Sequence, residues 1–99
     1  MSKSGGFLKN MFINKTKDGK NNVCGYKIAA FRKELKLSQK KLADKLQLIG
    51  LDVDKNAIQR MESGQRFITD IELVYLAHAF KKEISDLFPF SPKDENNDV

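Results

Sequence analysis

A chain of 99 residues with a net charge of +5 has room for one small domain, and its basic balance favours an anionic partner. The single cysteine, Cys24, excludes an intramolecular disulfide, which suits a reducing cytoplasm, and no apolar run approaches the ~20 residues that cross a bilayer. The sequence has no Cys/His zinc spacing and no phosphate-binding glycine loop, and the lone His78 is expected to be a packing or surface residue. It therefore predicts no enzyme, no metal, no cofactor and no membrane partner.

The two ends of the chain differ in charge from the middle. Residues 1–22 carry five lysines against one aspartate, and residues 89–99 carry one lysine against three acidic residues. We predict a basic, flexible N-terminal arm, a globular domain over residues 23–88 and an acidic C-terminal tail. The arm is expected to follow DNA phosphates, or to dock its apolar cluster at 7–13 on the domain or a second subunit. The remaining alternative is a solubilising leader or an artefact of the start site.

Two helices are predicted before residue 50. The first runs from about Tyr26 to Leu35, and the second begins after Ser38, whose side chain can cap its N-terminus. Their apolar periodicity predicts buried stripes made of Ile28, Phe31 and Leu35 in the first helix and of Leu42, Ala43 and Leu46 in the second. Gly50 is expected to end the second helix. Two apolar residues of the following segment are expected beneath the third helix, namely Leu51 and Val53.

The first turn of the second helix is basic. Lys40 and Lys41 there oppose the helix dipole, typically by ~0.3–1 kcal/mol each. A DNA phosphate beside this end would reverse the effect, because helix N-termini bind phosphate. We therefore interpret Gln39, Lys40 and Lys41 as contacts to the DNA backbone. An ordinary basic surface turn is the alternative.

The third helix is predicted over about residues 55–63, between the N-cap Asp54 and the helix-closing Gly64. Only Ile58 and Met61 form a buried stripe, which leaves most of the helix surface polar. Its other side chains suit base edges or phosphates, namely Lys55, Asn56, Gln59 and Arg60. The pattern is typical of a helix inserted into a DNA groove, with a solvated helix face as the alternative.

The fourth and fifth helices complete the domain. Thr69 and Glu72 fit a capping box, so the fourth helix begins there. Its apolar residues are too many for one face, which predicts a largely buried helix: Ile71, Leu73, Val74, Leu76, Ala77 and Phe80. Glu83 to Phe88 predicts a short fifth helix whose inward residues are Ile84, Leu87 and Phe88. The edge at 88–90 suits either a homodimer contact or simple closure of the core.

Several motifs follow one another in a characteristic order: Arg32-Lys-Glu-Leu-Lys-Leu-Ser-Gln39, Leu42-Ala43 with Leu46, Ala57-Ile-Gln-Arg-Met-Glu-Ser-Gly-Gln-Arg66, Leu76-Ala77 and Asp86-Leu-Phe88. Their order and spacing closely resemble the Xre/Cro-type helix-turn-helix family of bacterial and phage repressors, over about residues 23–88. The resemblance implies an all-α, five-helix, repressor-like DNA-binding domain that contains a helix-turn-helix. It also implies a homodimer on two half-sites. The connection at 47–53 is longer than in the commonest members.

The resemblance also implies roles for individual residues. Arg32 and Glu62 are expected to form a structural pair between the first and third helices. Gln39 and Arg66 match positions that contact phosphate, although a buried anchor is an alternative for Arg66. Lys36 stands where the family usually has a helix-ending glycine, and a left-handed lysine there would cost about 1 kcal/mol.

Together these observations predict sequence-specific binding of double-stranded DNA and transcriptional regulation, with repression as the expected outcome. The predicted base contacts, with the third helix in the major groove, are Lys55, Asn56, Ala57, Gln59 and Arg60. The predicted phosphate contacts are Ser38, Gln39, Lys40 and Arg66. The expected location is the cytoplasm, on the nucleoid. The alternative is a protein-interaction module of the same fold, such as an antitoxin-like partner of a co-encoded protein.

Overall fold

The computed structural model describes residues 15–89. Within this range the chain forms four α-helices: α1 (Gly25–Glu34), α2 (Gln39–Leu48), α3 (Lys55–Ser63) and α4 (Asp70–Phe80). A single turn of 3-10 helix, Ile84–Leu87, follows them. The all-α prediction is confirmed, but the count of five helices is not, because the predicted short fifth helix is this 3-10 turn. The segment is too short for an α-helix, because only four residues lie between the capping residue Glu83 and Phe88. Phe88 has an extended backbone, as is favoured before a proline, here Pro89.

The helix ends form where local sequence predicts them. The Ser38 side chain accepts a hydrogen bond from Lys41 N, and the Asp54 side chain accepts one from Ala57 N. Thr69 and Glu72 form the predicted capping box at the start of α4. Gly64 closes α3 with a left-handed φ of +80°. These caps satisfy backbone groups that a helix leaves unpaired at its ends, so each helix stops within a residue or two of its predicted boundary.

One core joins all four helices. Helix α3 packs against both α1 and α2, while α4 packs against α1, α2 and the 3-10 turn. The buried apolar residues are Cys24, Ile28, Phe31, Leu42, Ala43, Leu46, Val53, Ala57, Ile58, Met61, Leu76, Ala77, Ala79, Phe80 and Leu87. The α3 stripe is therefore held from two sides, which fixes the direction of its polar face.

Four apolar side chains lie further outside than predicted. Leu35 is 44% exposed because α1 ends at Glu34 and Leu35 leaves the helical stripe as the C-cap. Ile71 and Val74 are 64% and 53% exposed, since α4 is covered on only part of its circumference. Ile84, at the start of the 3-10 turn, is 41% exposed, whereas Leu87 is fully buried. The inward placement predicted for these four residues is wrong.

Two lysines adopt the left-handed backbone conformation after helices. Lys36 and Lys81 both have φ of +58°, and Lys36 matches the expectation from the sequence. We expect Lys36→Gly and Lys81→Gly each to raise the free energy of unfolding by about 1 kcal/mol, because glycine adopts this conformation without a Cβ penalty. Urea unfolding measures this. Lys33→Gly, within α1, is the control and should lower stability by about 1 kcal/mol. Destabilisation by all three substitutions would contradict the expectation.

Candidate nucleic-acid interface

Helix α3 presents an uncommitted polar face. Ala57, Ile58 and Met61 are buried, while Lys55, Asn56, Gln59 and Arg60 are exposed. Within the described range none of these four exposed side chains makes a hydrogen bond or ion pair. Amide, ammonium and guanidinium groups without protein partners are available for base edges in a DNA groove.

Ala57 differs from the other predicted base contacts. Only 7% of its surface is exposed, because it joins Ile58 and Met61 on the side of α3 that faces the core. Its methyl group therefore contributes to packing. Contact of Ala57 with a thymine methyl stays a prediction, and little of its methyl group is accessible for it.

An ion pair ties α3 to α1. Arg32 Nε donates to Glu62 Oε2 at 2.6 Å and Arg32 Nη2 donates to Glu62 Oε1 at 3.1 Å, a bidentate arrangement with little solvent exposure. Arg32 Nη1 also donates to the backbone oxygen of Leu37, at 2.7 Å. One guanidinium therefore connects α1, the loop before α2 and α3.

Gln39 belongs to the same network. Its Nε2 donates to Glu62 Oε1 at 3.0 Å, which leaves the amide oxygen uncommitted at the start of α2. Ser38 is occupied as the N-cap, and Lys40 forms an exposed ion pair with Asp44 at 3.2 Å. Such an exposed pair contributes little, about 0–1 kcal/mol, so a phosphate can compete for Lys40. The first turn of α2 contains no acidic residue that would repel a phosphate.

Arg66 anchors the loop between α3 and α4. Its Nη1 and Nη2 atoms donate to the two carboxylate oxygens of Glu72, at 2.9 and 2.8 Å, and Nη1 also donates to the Phe67 backbone oxygen. The hydrogen bond from Arg66 holds the pKa of Glu72 below its ordinary value, and the same bond raises the pKa of Arg66. The structure thus shows the anchoring alternative, while contact of Arg66 with phosphate stays a prediction.

Asn22 is a bridging residue that no sequence motif predicted. Its side chain bridges the N-terminus of α1 and the C-terminal end of α3, 39 to 44 residues further along the chain. The available signal was modest: asparagine caps helices well, and Asn22 lies three residues before the first residue of α1. Nothing in the local sequence indicated its contacts with α3 and the loop after it.

Cys24 and His78 are the remaining candidates for catalysis or metal binding, and neither belongs to a metal-binding group among the described residues. Cys24 is buried, and burial raises its pKa to about 11, so the thiol stays protonated at neutral pH. His78 is exposed on α4. Over residues 15–89 no group of three or more His, Cys, Asp or Glu side chains is arranged to hold a metal ion. In the same range no helix is long and apolar enough to cross a membrane.

The four-helix arrangement and the polar face of α3 define a helix-turn-helix DNA-binding regulator. A family model described as helix-turn-helix matches residues 28–87, more than half of the chain. The chain therefore belongs to the Xre/Cro-type helix-turn-helix family, as the sequence motifs predict. The comparisons with curated proteins and with solved structures gave no match.

Proposed function

We propose that this domain binds a specific double-stranded DNA sequence through α3 in the major groove and represses transcription by occupying the site. The observation that carries the proposal is the exposed face of Lys55, Asn56, Gln59 and Arg60, which lacks protein partners among the described residues. Asparagine and glutamine suit adenine, and lysine and arginine suit guanine. The proposed site of action is the nucleoid in the cytoplasm.

The start of α2 supplies the proposed backbone contacts. Gln39 is held against Glu62, and Lys40 lies beside it at a helix N-terminus whose backbone N–H groups favour an anion. Together with Ser38 and Arg66, these residues would set the register of α3 on the duplex. Contacts of this kind carry no sequence information of their own, so their loss should weaken binding to all sequences alike.

We further propose that the protein binds as a homodimer to two half-sites about one helical turn apart. Helix α4 supports this with its two exposed apolar residues, Ile71 and Val74. Sedimentation analysis with and without DNA tests the stoichiometry. A single copy on a selected site without internal symmetry would contradict the dimer.

The base-contact prediction is tested with duplexes selected from a random library and measured by fluorescence anisotropy. We expect Gln59→Ala and Asn56→Ala each to weaken binding to the selected site by ~1–3 kcal/mol and to relax its sequence preference, because each removes an amide placed for a base edge. Lys40→Ala is the matched control. It should weaken binding to selected and scrambled duplexes by the same factor.

Two outcomes would overturn parts of this proposal. Unchanged sequence preference in both Gln59→Ala and Asn56→Ala would exclude α3 as the recognition helix. Failure of the library to yield any preferred site would favour the other function of this fold, binding a protein partner such as a co-encoded toxin. Co-purification with the product of a neighbouring gene would then test that function.

A further inference from the structure

Residues Lys15–Asn22 form a closed turn, which we call the clip. Thr16 N donates to Lys20 O at 2.8 Å, and Gly19 N donates to Thr16 O at 2.9 Å. The Thr16 hydroxyl oxygen also accepts from Lys20 N at 2.9 Å. Gly19 makes this possible, since its φ of +82° lies in the region that glycine adopts without strain. The clip is therefore a defined structure with its own hydrogen bonds.

The clip is fastened to the C-terminal end of the recognition helix. Asn21 N donates to Gly64 O at 2.8 Å, and Asn21 Nδ2 donates to Gln65 O at 2.8 Å. Asn22 Nδ2 donates to Met61 O at 3.1 Å and to Arg66 O at 2.8 Å. Met61 lies in the last turn of α3, and Gly64, Gln65 and Arg66 follow the helix. Two asparagines thus connect the clip to α3 and to the loop that follows it.

A third fastening involves Lys20. Its Nζ donates to Ser63 O at 3.1 Å, where the negative end of the helix dipole favours a cation. Its aliphatic chain covers Gly64 so closely that a Cβ added there would lie 3.0 Å from Lys20 Cβ. The side chain of Lys20 therefore packs on the same turn that leads from α3 to Arg66.

The clip also brings positive charge to this end of α3. Lys15 Nζ donates to Asn21 Oδ1, and Lys17 is exposed without a hydrogen bond or ion pair to any other described residue. The clip carries Lys15, Lys17 and Lys20 against one carboxylate, Asp18, and the neighbouring Glu62 is paired with Arg32. The resulting local field is positive next to the loop proposed to approach phosphate.

We propose that the clip is a second phosphate-contacting element of the DNA-binding surface, in which Asn21 and Asn22 fasten the turn that carries Lys17 to the C-terminal end of the recognition helix. The inference rests on the proposed DNA-binding function and extends the interface to a segment before the matched family region, which begins at residue 28. Because the clip is already ordered by its fastenings, a phosphate contact from Lys17 requires less loss of chain freedom than one from a free arm.

The salt dependence of DNA binding tests the contact. For B-DNA, each phosphate contact contributes about 0.9 to the slope of log K against log salt concentration. We expect Lys17→Gln to reduce the slope by about that amount on both selected and scrambled duplexes. Lys82→Gln is the control for charge, although Lys82 also forms an ion pair with Glu34 and lies over the Phe31 ring. Lys82 follows α4, whereas the loop contacted by the clip precedes this helix of 11 residues, so about 16 Å of helix separates them. Its slope should equal that of the wild type.

Combining a substitution at Asn22 with Lys17→Gln tests whether Asn22 positions Lys17. Asn22→Asp keeps the acceptor for Gly25 N but removes both donors to Met61 and Arg66. In the Asn22→Asp background, which retains all other lysines, we expect Lys17→Gln to leave the slope unchanged, because the loosened clip no longer holds Lys17 at a phosphate. The added aspartate charge lowers the slope by itself, so the coupling decides: a purely structural role of Asn22 would leave the effect of Lys17→Gln at its full size in this background. Thermal unfolding checks that the variant folds, and Asn21→Ala provides a milder loosening of the clip.

The outcomes separate this inference from the proposed function. If Lys17→Gln has the same salt slope as the wild type, the proposed phosphate contact of Lys17 is wrong, even where the selected site is still preferred. A full effect of Lys17→Gln in the Asn22→Asp background would overturn the role of the fastening. A wild-type protein without sequence preference would instead refute specific recognition, while the slopes on scrambled DNA would still test the clip.

Discussion

Arg32→Met should lower the free energy of unfolding by about 3–5 kcal/mol, the usual cost of removing one partner from a buried ion pair. The Glu62 carboxylate that remains is only 8% exposed and would keep Gln39 as its one side-chain donor. The backbone oxygen of Leu37 would also lose its donor. A small domain is typically stable by about 5–15 kcal/mol, so this one change removes a large part of the total. Chemical unfolding at neutral pH measures the loss.

A double substitution identifies the cause. In Arg32→Met with Glu62→Leu both charges are absent, and we expect most of the lost stability to return, because paired apolar replacements of a buried ion pair are often neutral. Arg60→Met is the matched control. This arginine is exposed on α3 and forms no ion pair within the described range, so its substitution should change stability by less than about 0.5 kcal/mol. A single variant as stable as the control would contradict the argument.

Arg60→Met and the double variant of Arg32 and Glu62 separate effects on stability from effects on DNA binding. Arg60→Met should weaken DNA binding without loosening the fold, because Arg60 lies on the face proposed for base contacts. The Arg32→Met, Glu62→Leu protein should fold but leave Gln39 without the carboxylate that holds its amide. We therefore expect weaker binding from the double variant at a temperature where both proteins are folded.

Local rules explain why the helix boundaries could be predicted. A cap depends on side chains within three or four residues, so Ser38, Asp54 and Thr69 are recognisable from the sequence alone. Gly64 and the left-handed Lys36 likewise follow from what comes directly before and after a helix. The all-α fold and the family required little more than these signals together with the order of the apolar positions.

Burial could not be predicted equally well, because it depends on which neighbours cover a helix. The apolar residues of α4 surround most of its circumference, which predicted a buried helix. Its neighbours cover only part of it, so Ile71 and Val74 stay exposed. Ala57 shows the opposite case: a small residue between polar ones lies in the core because α3 packs on two helices at once.

The contacts around the candidate interface are mostly long-range. The sequence resemblance indicated the Arg32–Glu62 pair, whose partners are 30 residues apart, because family members share it. The contacts of Asn22 with Met61 and Arg66 span more than 38 residues and involve backbone oxygens, which have no sequence signature. The clip was therefore visible in the sequence only as part of a basic arm.

Gly25→Ala should destabilise the domain by about 2–3 kcal/mol, although alanine is the better helix former. Gly25 is the first residue of α1 and lies directly against the last turn of α3. A Cβ there would overlap the backbone oxygen of Met61 and lie 2.9 Å from that of Glu62. Both obstacles are backbone atoms of α3, so neither can move aside by a change of rotamer. The two helices must separate, which costs about 1–3 kcal/mol or more in a packed core.

The sign of the change distinguishes close packing from helix propensity. Propensity alone would make Gly25→Ala stabilising, by at most about 1 kcal/mol. Ala30→Gly, at an exposed position of the same helix, measures the propensity difference between alanine and glycine. It should lower the free energy of unfolding by about 1 kcal/mol. Since 1 kcal/mol corresponds to about 4–8 °C in a domain of this size, Gly25→Ala should lower Tm by roughly 10–20 °C. A rise in Tm would show that α1 and α3 can move apart freely. The expected fall would mean that this one missing side chain sets the distance between α1 and the end of the recognition helix, and with it the position of the clip.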